Sequence, residues 1–235
     1  DGTFSNTERR VLLVRQAIPP VGDSRPDWMI TQDLSTRCGY PMNYASAEAI
    51  FDEMKSLTPS YAGMSYARLA ANGLQWPCPT AEHPGTVFLH KDRFSRGLGA
   101  FTAIDYKPPA EVVDGAYPMW LSTGRVFAHY HSGSMTRVSP SLHQEVPEGY
   151  VEISPADAKS MAIKDGERIK VSSRRGEIQI KARISGKVNR GVVFIPFHFA
   201  EAAANKLTNS AIDPVAKIPE YKVCSCKIEK IQMQP

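Results

Sequence analysis

The sequence predicts an α/β segment at the N-terminus followed by a β-rich closed barrel. Residues 1–73 combine one short apolar strand with three stretches of helical periodicity. From residue 116 onward, short strands recur at close spacing with turns between them and a single helix, a pattern typical of a closed barrel. The stretch between these parts is rich in proline and glycine. We therefore expect three parts, at residues 1–73, 74–115 and 116–235.

The N-terminal elements are predicted from apolar spacing and from helix-ending residues. An apolar run predicts a strand at residues 11–14, and Asp27 is expected to cap a helix that ends at Cys38-Gly39. Two further helices are predicted at residues 46–57 and 65–71. None of them carries a catalytic pattern, so we expect their aromatic residues in the core. The long stretch 74–115 is typical of a binding segment or of a strap between domains.

The barrel is predicted from strands that alternate with turn residues. A helix is expected to begin at Ser154-Pro155, with the proline in its first turn, and to end near Met161. The last predicted strand is a continuous apolar run and is therefore expected to be buried. The predicted strands lie at residues 117–121, 150–153, 168–172, 177–184 and 192–195.

A polar loop after the first barrel strand is the main candidate for a binding site. Gly124 lets backbone N–H groups approach a ligand, and Arg125 offers a planar fork to an anion. Histidines and hydroxyls follow within thirteen residues, at His129, His131, Ser132, Ser134 and Thr136. This inventory suits a phosphate-bearing cofactor, and a polar surface loop with ordinary histidines is the alternative that chemistry alone leaves open.

A second candidate segment follows the last predicted strand. Phe197 and His198 emerge at the end of that strand, where ligand-binding loops lie. Asn205 and Asn209 supply amides that can read a purine edge, and Lys222 is a point charge for a phosphate. A turn-capping asparagine and a solvated lysine are the alternatives.

Composition excludes several classes of protein. The balance of 28 basic and 24 acidic residues gives a net charge of +4, and the basic residues are scattered, which argues against nucleic acid. No apolar run approaches the ~20 residues of a membrane span. Of the four cysteines, Cys224 and Cys226 are spaced too tightly for a usual metal site, so we expect neither a metal cluster nor a disulfide framework. The chain opens without a signal peptide and reads as the middle of a longer protein.

Several motifs resemble the molybdenum and tungsten bis(pyranopterin guanine dinucleotide) oxidoreductases. Thr-Gly-Arg at 123–125 and His-Tyr-His-Ser-Gly-Ser-Met-Thr-Arg at 129–137 resemble the pterin-binding loop of this family. The order of strand, Pro-Ala-Asp-Ala helix, Asp-Gly turn, hairpin and buried strand resembles its double-psi β-barrel, the molybdopterin dinucleotide-binding domain. Thr-Phe-Ser-Asn-Thr-Glu-Arg-Arg-Val near the start, Gly-Leu-Gln-Trp-Pro-Cys-Pro, His-Pro-Gly-Thr and Pro-Pro-Ala-Glu resemble the formate dehydrogenase branch. The resemblance covers essentially the whole chain.

This resemblance implies a set of cofactor-binding residues, with the histidines as hydrogen-bonding partners of the pterin rather than metal ligands. It places Phe197 on the substrate side and implies that an arginine near the N-terminus contacts a pterin phosphate. It implies no catalytic residue and no metal ligand in this chain. We also expect Trp76, Phe197, Phe199 and Arg125 to form an exposed apolar and basic cleft. The implied cofactor-binding residues are Ser122, Thr123, Gly124, Arg125, Val126, His129, Tyr130, His131, Ser132, Ser134, Met135, His198, Asn205, Tyr221 and Lys222.

The resemblance further implies the cofactors, the partners and the reaction. The cofactor is molybdenum or tungsten bis(molybdopterin guanine dinucleotide), and a 4Fe-4S cluster is expected in the N-terminal portion that this chain lacks. That portion, on the same or a separate polypeptide, is one partner, with iron–sulfur or diaphorase electron-transfer subunits as others. The reaction is the oxidation of formate to carbon dioxide and two electrons, which the chain does not catalyse alone. A cytoplasmic location is expected, with the periplasm as an alternative. The alternative functions are reduction of nitrate or another oxyanion, and a non-catalytic barrel module.

Overall fold

A computed structural model describes residues 1–231 and divides the chain into two units. The first unit spans Asp1–Thr102 and the second begins at Ala103. The boundary falls inside the predicted strap, so residues 74–102 belong to the first unit and residues 103–115 to the second.

The first unit is a small antiparallel sheet with three helices. The sheet has the order β1-β2-β3, and its strands are β1 Gly2–Ser5, β2 Arg10–Val14 and β3 Leu74–Gln75. The helices are α1 Asp27–Arg37, α2 Ala47–Leu57 and α3 Tyr66–Leu69.

Capping and burial differ among the three helices. The hydroxyls of Ser46 and Ser65 accept hydrogen bonds from backbone N–H groups in the first turns of α2 and α3, which fixes where these helices begin. Pro26, rather than the expected Asp27, precedes α1, and no residue of α1 is buried. The core of this unit is made by Val11, Phe51, Met64, Leu69 and Cys78.

The second unit contains a closed barrel of six strands in the order β4-β8-β5-β7-β6-β9. The β4–β8 and β5–β7 pairs are parallel and the other neighbours are antiparallel. Closure confirms the predicted barrel. The strands are β4 Met119–Gly124, β5 Tyr150–Ile153, β6 Arg168–Ser172, β7 Glu177–Ile184, β8 Val192–Pro196 and β9 Cys224–Lys230.

The sequence interpretation missed two elements of the barrel unit. The strand β9 closes the barrel between β4 and β6, although lysines and a glutamate alternate with its buried residues. A short helix, α4 Pro140–Glu145, precedes β5, so the unit carries a second α-helix besides α5 Pro155–Ser160.

The barrel core is apolar and continuous. Residues alternate between the interior and the outside along β4, where Leu121 is 1% exposed and its neighbours Trp120 and Ser122 are only half-buried. The interior is filled mainly by Leu121, Val151, Ile153, Ile169, Val171, Ile180, Val193, Ile195 and Leu207. In the part of the chain that the structure describes, no helix is both long and apolar enough to cross a membrane.

Candidate cofactor-binding site

Three segments meet at one edge of the barrel. Because β4 and β8 run parallel with Gly124 opposite Pro196, the loops that follow both strands leave the barrel side by side. The strand β9 runs antiparallel to β4 with Leu121 opposite Cys224, so the residues just before Cys224 reach the same edge. The topology therefore brings together the predicted loop at 122–137, the segment at 197–199 and the segment at 221–223.

Two hydrogen bonds join these segments directly. The buried hydroxyl of Thr123 donates to the carbonyl oxygen of Tyr221 at 2.8 Å. The N–H of Phe197 donates to the carbonyl oxygen of Gly124 at 3.1 Å. A side chain at Gly124 would begin with a Cβ only 2.7 Å from the ring of Phe194, so glycine keeps this turn compact.

His198 lies underneath the loop with both ring nitrogens occupied. Its ring is 1% exposed, its Nε2 accepts from the backbone N–H of Val126 at 3.0 Å, and its Nδ1 bonds the carbonyl oxygen of His131. An N–H can only donate and a carbonyl can only accept, so the proton is on Nδ1 and the ring is neutral. Burial lowers the pKa of His198, which favours this neutral form.

His129 is held in a similar way from the other side of the loop. Its Nε2 donates to the carbonyl oxygen of Val146 at 2.7 Å, and its Nδ1 shares a hydrogen bond with the hydroxyl of Thr136 at 3.0 Å. The ring is 5% exposed and packs edge-on against Phe199 at 5.3 Å between ring centroids. The nitrogens of His129 and His198 thus bond groups of the protein itself, and these two histidines support the loop from below.

The tip of the loop presents its side chains to solvent. His131 and Gly133 have left-handed backbone conformations, with φ of 46° and 75°. At Gly133 an added Cβ would lie 3.0 Å from the carbonyl oxygen of His198, so the tip sits directly on the segment after β8. Five predicted binding residues are exposed here: Tyr130, His131, Ser132, Ser134 and Met135.

Two cations at this edge are exposed to solvent. Arg125 and Lys222 are exposed and, among the described residues, make neither an ion pair nor a side-chain hydrogen bond. The guanidinium of Arg125 lies over the ring of the half-buried Phe197, 5.9 Å from its centroid. Arg137 behaves differently, because both of its terminal nitrogens donate to the carboxylate of Glu201, at 2.8 and 2.9 Å.

The expected exposed cleft is wrong in one respect. Phe199 is 1% exposed, because its ring packs against His129 and lies under the guanidinium of Arg137 at 5.1 Å. Trp76 is half-buried against the core of the first unit. The fully exposed aromatic residue of the loop is Phe127, which the sequence interpretation passed over.

Comparison with known proteins gives the family. Residues 119–225 match the Molydopterin dinucleotide binding domain, and residues 1–37 match Molybdopterin oxidoreductase. The chain belongs to the molybdopterin oxidoreductases. The loop at 122–137 therefore lies inside the domain that binds a pterin dinucleotide, and we call it the pterin loop from here on.

The curated relatives include both dehydrogenases and a reductase. The chain is 51% identical over 235 residues to F420-dependent formate dehydrogenase 2 subunit alpha of Methanococcus maripaludis, covering 98% of this chain and 35% of that protein. It is 49% identical over 235 residues to the F420-dependent formate dehydrogenase subunit alpha of Methanocaldococcus jannaschii, with the same coverage. The assimilatory nitrate reductase catalytic subunit of Bacillus subtilis is 37% identical over 240 residues, covering 97% of this chain and 34% of that protein. The chain thus spans about one third of the length of these relatives.

A solved structure supports the fold. The acetylene hydratase from Pelobacter acetylenicus superposes with a TM-score of 0.64 at 16% identity, covering 95% of this chain and 35% of that chain. Together with the family match, this confirms the α/β segment and the double-psi barrel as the fold of this molybdopterin oxidoreductase chain.

The residues at the barrel edge fit an anionic dinucleotide. Arg125 and Lys222 are exposed cations without an ion-pair partner among residues 1–231, and the Thr123–Tyr221 hydrogen bond joins the segments that carry them. The hydroxyls of Ser132 and Ser134 lie 3.3 Å apart on the exposed tip and can donate to phosphate oxygens. Among the described residues, no group of three or more His, Cys, Asp or Glu side chains is arranged to hold a metal ion.

The two asparagines differ in availability. Asn205 is exposed on a single helical turn, Ala204–Lys206. Its side chain makes no hydrogen bond to another described residue. The amide of Asn209 instead donates to the carbonyl oxygens of Glu220 and Val223, both at 2.9 Å, and accepts from the N–H of Ala211 at 2.8 Å. Asn209 is therefore engaged inside the protein and positions the segment that carries Lys222.

The turn between β6 and β7 supports the Asn205 segment, a role that the sequence interpretation missed. Arg175 donates from Nη2 to the carbonyl oxygen of Leu207 at 2.6 Å and also bonds the carboxylate of Glu111. Glu111 accepts in addition from the N–H and hydroxyl of Ser225, at 2.7 and 2.5 Å. The double arginine was visible in the sequence as a turn, but its partner lies 64 residues earlier and no local pattern links the two.

An open cavity of about 1190 Å³ adjoins this edge within the second unit. Ser122 and Lys222 contribute to its wall, beside apolar side chains that include Trp120, Pro109 and Ile218. These two predicted binding residues thus border a space large enough for a nucleotide-sized group.

The arginines near the N-terminus serve the first unit. Arg9 donates to the carbonyl oxygens of Thr86 at 3.0 Å and Val87 at 2.9 Å and also bonds that of Trp76. Arg10 pairs with Glu8 at 3.0 Å. The expected contact between an arginine here and a pterin phosphate is not supported by this geometry, since both guanidinium groups bond groups of the protein.

Proposed function

We propose that this chain is the C-terminal, cofactor-binding portion of the catalytic subunit of a formate dehydrogenase, which oxidises formate to carbon dioxide, a proton and two electrons. The observation that carries the proposal is the identity of 49–51% to three F420-dependent formate dehydrogenase alpha subunits over 98% of the chain. The nitrate reductase relative is 37% identical over a similar span.

In this proposal the barrel edge clamps the dinucleotide. Arg125 and Lys222 bind its phosphates, and Asn205 offers an amide to the guanine edge. The exposed side chains of the pterin loop, Tyr130, His131, Ser132, Ser134 and Met135, contact the pterin and its phosphates. Ser122, Thr123, Gly124, Val126 and Tyr221 shape the backbone of the site.

The other residues of the edge have supporting or substrate-side roles. His129 and His198 support the pterin loop from below, and Phe197 faces the substrate side. A bound molybdenum or tungsten pterin cofactor supplies the two-electron redox chemistry. This chain supplies no catalytic residue and no metal ligand in the proposal.

The rest of the enzyme lies outside this chain. We assign the 4Fe-4S cluster, and the cysteine or selenocysteine that ligates the metal, to the N-terminal portion of the catalytic subunit, on the same or a separate polypeptide. Iron–sulfur or diaphorase subunits accept the electrons. We place the enzyme in the cytoplasm, with the periplasm as the alternative.

The test is a comparison of two reactions in the assembled enzyme. We expect formate to reduce an oxidised viologen dye, and we expect reduced dye with nitrate to give little turnover. Nitrate reduction without formate oxidation would refute the proposal and favour the oxyanion-reductase alternative that the Bacillus subtilis relative supports. Purified enzyme with neither pterin nor metal would favour the non-catalytic barrel module instead.

A further inference from the structure

We infer that His198 is a positioning residue whose neutral ring holds the pterin loop in its binding conformation, so that uptake of one proton by this ring releases the cofactor. The inference rests on the proposed function and concerns the regulation of the same site.

The ring of His198 bridges two points of the pterin loop. It accepts from the N–H of Val126 near the start of the loop and donates to the carbonyl oxygen of His131 near its tip. Arg125, the cation proposed to bind phosphate, is the neighbour of the first anchor point. Tyr130 and Ser132 are the neighbours of the second. The side chain of His198 thus determines the backbone conformation next to proposed binding residues at both ends of the loop.

Only the neutral ring with its proton on Nδ1 satisfies both bonds. A second proton on Nε2 would face the N–H of Val126 across 3.0 Å, and two donors cannot bond each other. The ring has no room to turn away, because it is 1% exposed and packs against Phe197, His129 and Phe199 at centroid distances of 4.9, 5.7 and 6.2 Å. Protonation must therefore move the loop and not the ring.

Apart from the carbonyl oxygen of His131, the groups that act on the pKa of His198 disfavour a positive ring. Burial disfavours the charged form most, and the charged or titratable groups that face the ring are His129, Arg125 and His131. All three are basic and act in the same direction as burial, lowering the pKa of His198 below its ordinary value of 6.5, with only the bond to the carbonyl of His131 opposing them. The ring is thus neutral at neutral pH, and the switch operates on the acid side.

The backbone conformation of the loop tip depends on the hydrogen bond between His198 and the carbonyl oxygen of His131. His131 is a non-glycine residue in a left-handed backbone conformation with φ of 46°, which is sterically unfavourable unless the surrounding structure supports it. The carbonyl oxygen of His131 is hydrogen-bonded to the ring of His198. Gly133 packs against the backbone carbonyl oxygen of His198. Loss of the Val126 and His131 anchors would let the tip relax towards ordinary backbone conformations, away from the geometry that presents Ser132 and Ser134.

The first test compares His198→Gln and His198→Leu in the assembled enzyme, with His90→Gln as a control at an exposed histidine of the other unit. Glutamine offers one acceptor and one donor that do not titrate, whereas leucine offers neither. The readouts are pterin released into the filtrate, measured by fluorescence, and metal retained on the protein, between about pH 5 and about pH 8.

We expect the wild type and the His90→Gln control to retain the cofactor at neutral pH and to lose it faster as pH falls. A single protonation allows the release rate to rise at most about tenfold per pH unit. His198→Gln should retain the cofactor with a much flatter pH dependence, and His198→Leu should release it quickly throughout. Parallel acid profiles for the wild type and His198→Gln, or full retention by His198→Leu, would overturn the inference.

A second measurement uses only the wild type and so does not depend on whether the variants fold. Amide hydrogen exchange, corrected for the intrinsic effect of pH, should show that residues 126–136 lose protection on acidification while the barrel strand β5 keeps it. Equal protection of the pterin loop across the range would also contradict the inference. Wild-type enzyme that holds no pterin at any pH would refute the proposed function, whereas enzyme that holds it equally at every pH would refute only the role of His198.

Discussion

Replacement of Glu111 by glutamine tests whether one carboxylate fixes residues 109–114 to the barrel. The Glu111 side chain is 12% exposed and accepts from Arg175 and from both the N–H and the hydroxyl of Ser225. Burial alone would raise the pKa of Glu111, but these hydrogen bonds more than offset it and lower the pKa from 4.5 to about 2. The folded protein therefore stabilises the ionised carboxylate of Glu111 relative to the unfolded chain.

The size of the effect follows from this difference in pKa. At about 1.4 kcal/mol per pKa unit, the ionised carboxylate contributes about 3 kcal/mol to the free energy of unfolding. A group with a depressed pKa stabilises the fold fully above its unfolded value of 4.5, and this contribution is lost as pH falls through about 2. Glutamine keeps the size and one acceptor oxygen, so we expect Glu111→Gln to lose about 2–3 kcal/mol at neutral pH.

The assay is urea unfolding of wild type and variant between about pH 7 and about pH 3, followed by circular dichroism. Glu145→Gln, at an exposed glutamate of the same unit, is the matched control and should change the free energy of unfolding by less than about 0.5 kcal/mol. The gap between wild type and Glu111→Gln should narrow towards the acid end. A variant as stable as wild type at neutral pH, or a gap that stays constant with pH, would refute the reasoning.

Three further predictions address the pterin loop and the thiols. Arg125→Ala and Lys222→Ala should each weaken cofactor retention about ten- to a hundredfold, since a charge-assisted bond contributes about 1.5–3 kcal/mol; unchanged pterin and metal content would contradict the assignment. Gly133→Ala should lower both thermal stability and pterin content, because Gly133 has a φ of 75° and an added Cβ would meet the His198 carbonyl oxygen at 3.0 Å. The control Gly186→Ala, where an added Cβ lies in open space, should leave thermal unfolding unchanged. Iodoacetamide should alkylate the exposed Cys38 in the native protein and spare the three buried thiols, and mass spectrometry that finds the buried ones labelled equally fast would argue against this core.

The sequence predicted the regular elements well where local chemistry determines them. The expected strands at 150–153, 168–172 and 177–184 coincide with β5, β6 and β7. Turn residues bound these strands, and their apolar residues either alternate with polar ones or follow each other, in keeping with how each strand is buried. The strand β9 was missed because three of its last four residues are charged, Lys227, Glu229 and Lys230, and only Ile228 among them is apolar and buried. Its place between β4 and β6 depends on barrel closure, which no window of the sequence records.

The residue types of the site were also predictable, but their roles were not. Both histidines in the pterin loop motif and the one after β8 look alike in sequence as hydrogen-bonding partners for a ligand. Only the structure separates the exposed His131 from His129 and His198, whose nitrogens bond Val146, Thr136, Val126 and His131. The same holds for Asn205 and Asn209, since an amide that holds a loop and an amide that meets solvent differ by tertiary contacts alone.

The pairing of the basic residues separates the scaffold of this site from its ligand-binding part. Arg137 is bound by Glu201, and Arg175 by Glu111 and the carbonyl oxygen of Leu207, so these guanidinium groups hold the chain together. Arg125 and Lys222 have no such partner in the described residues, although they lie on segments joined by the Thr123–Tyr221 hydrogen bond. Both side chains are exposed, and an anion would gain charge-assisted hydrogen bonds from either of them. Arg125 and Lys222, rather than Arg137 and Arg175, are therefore the residues that we expect to bind the phosphates of the proposed dinucleotide.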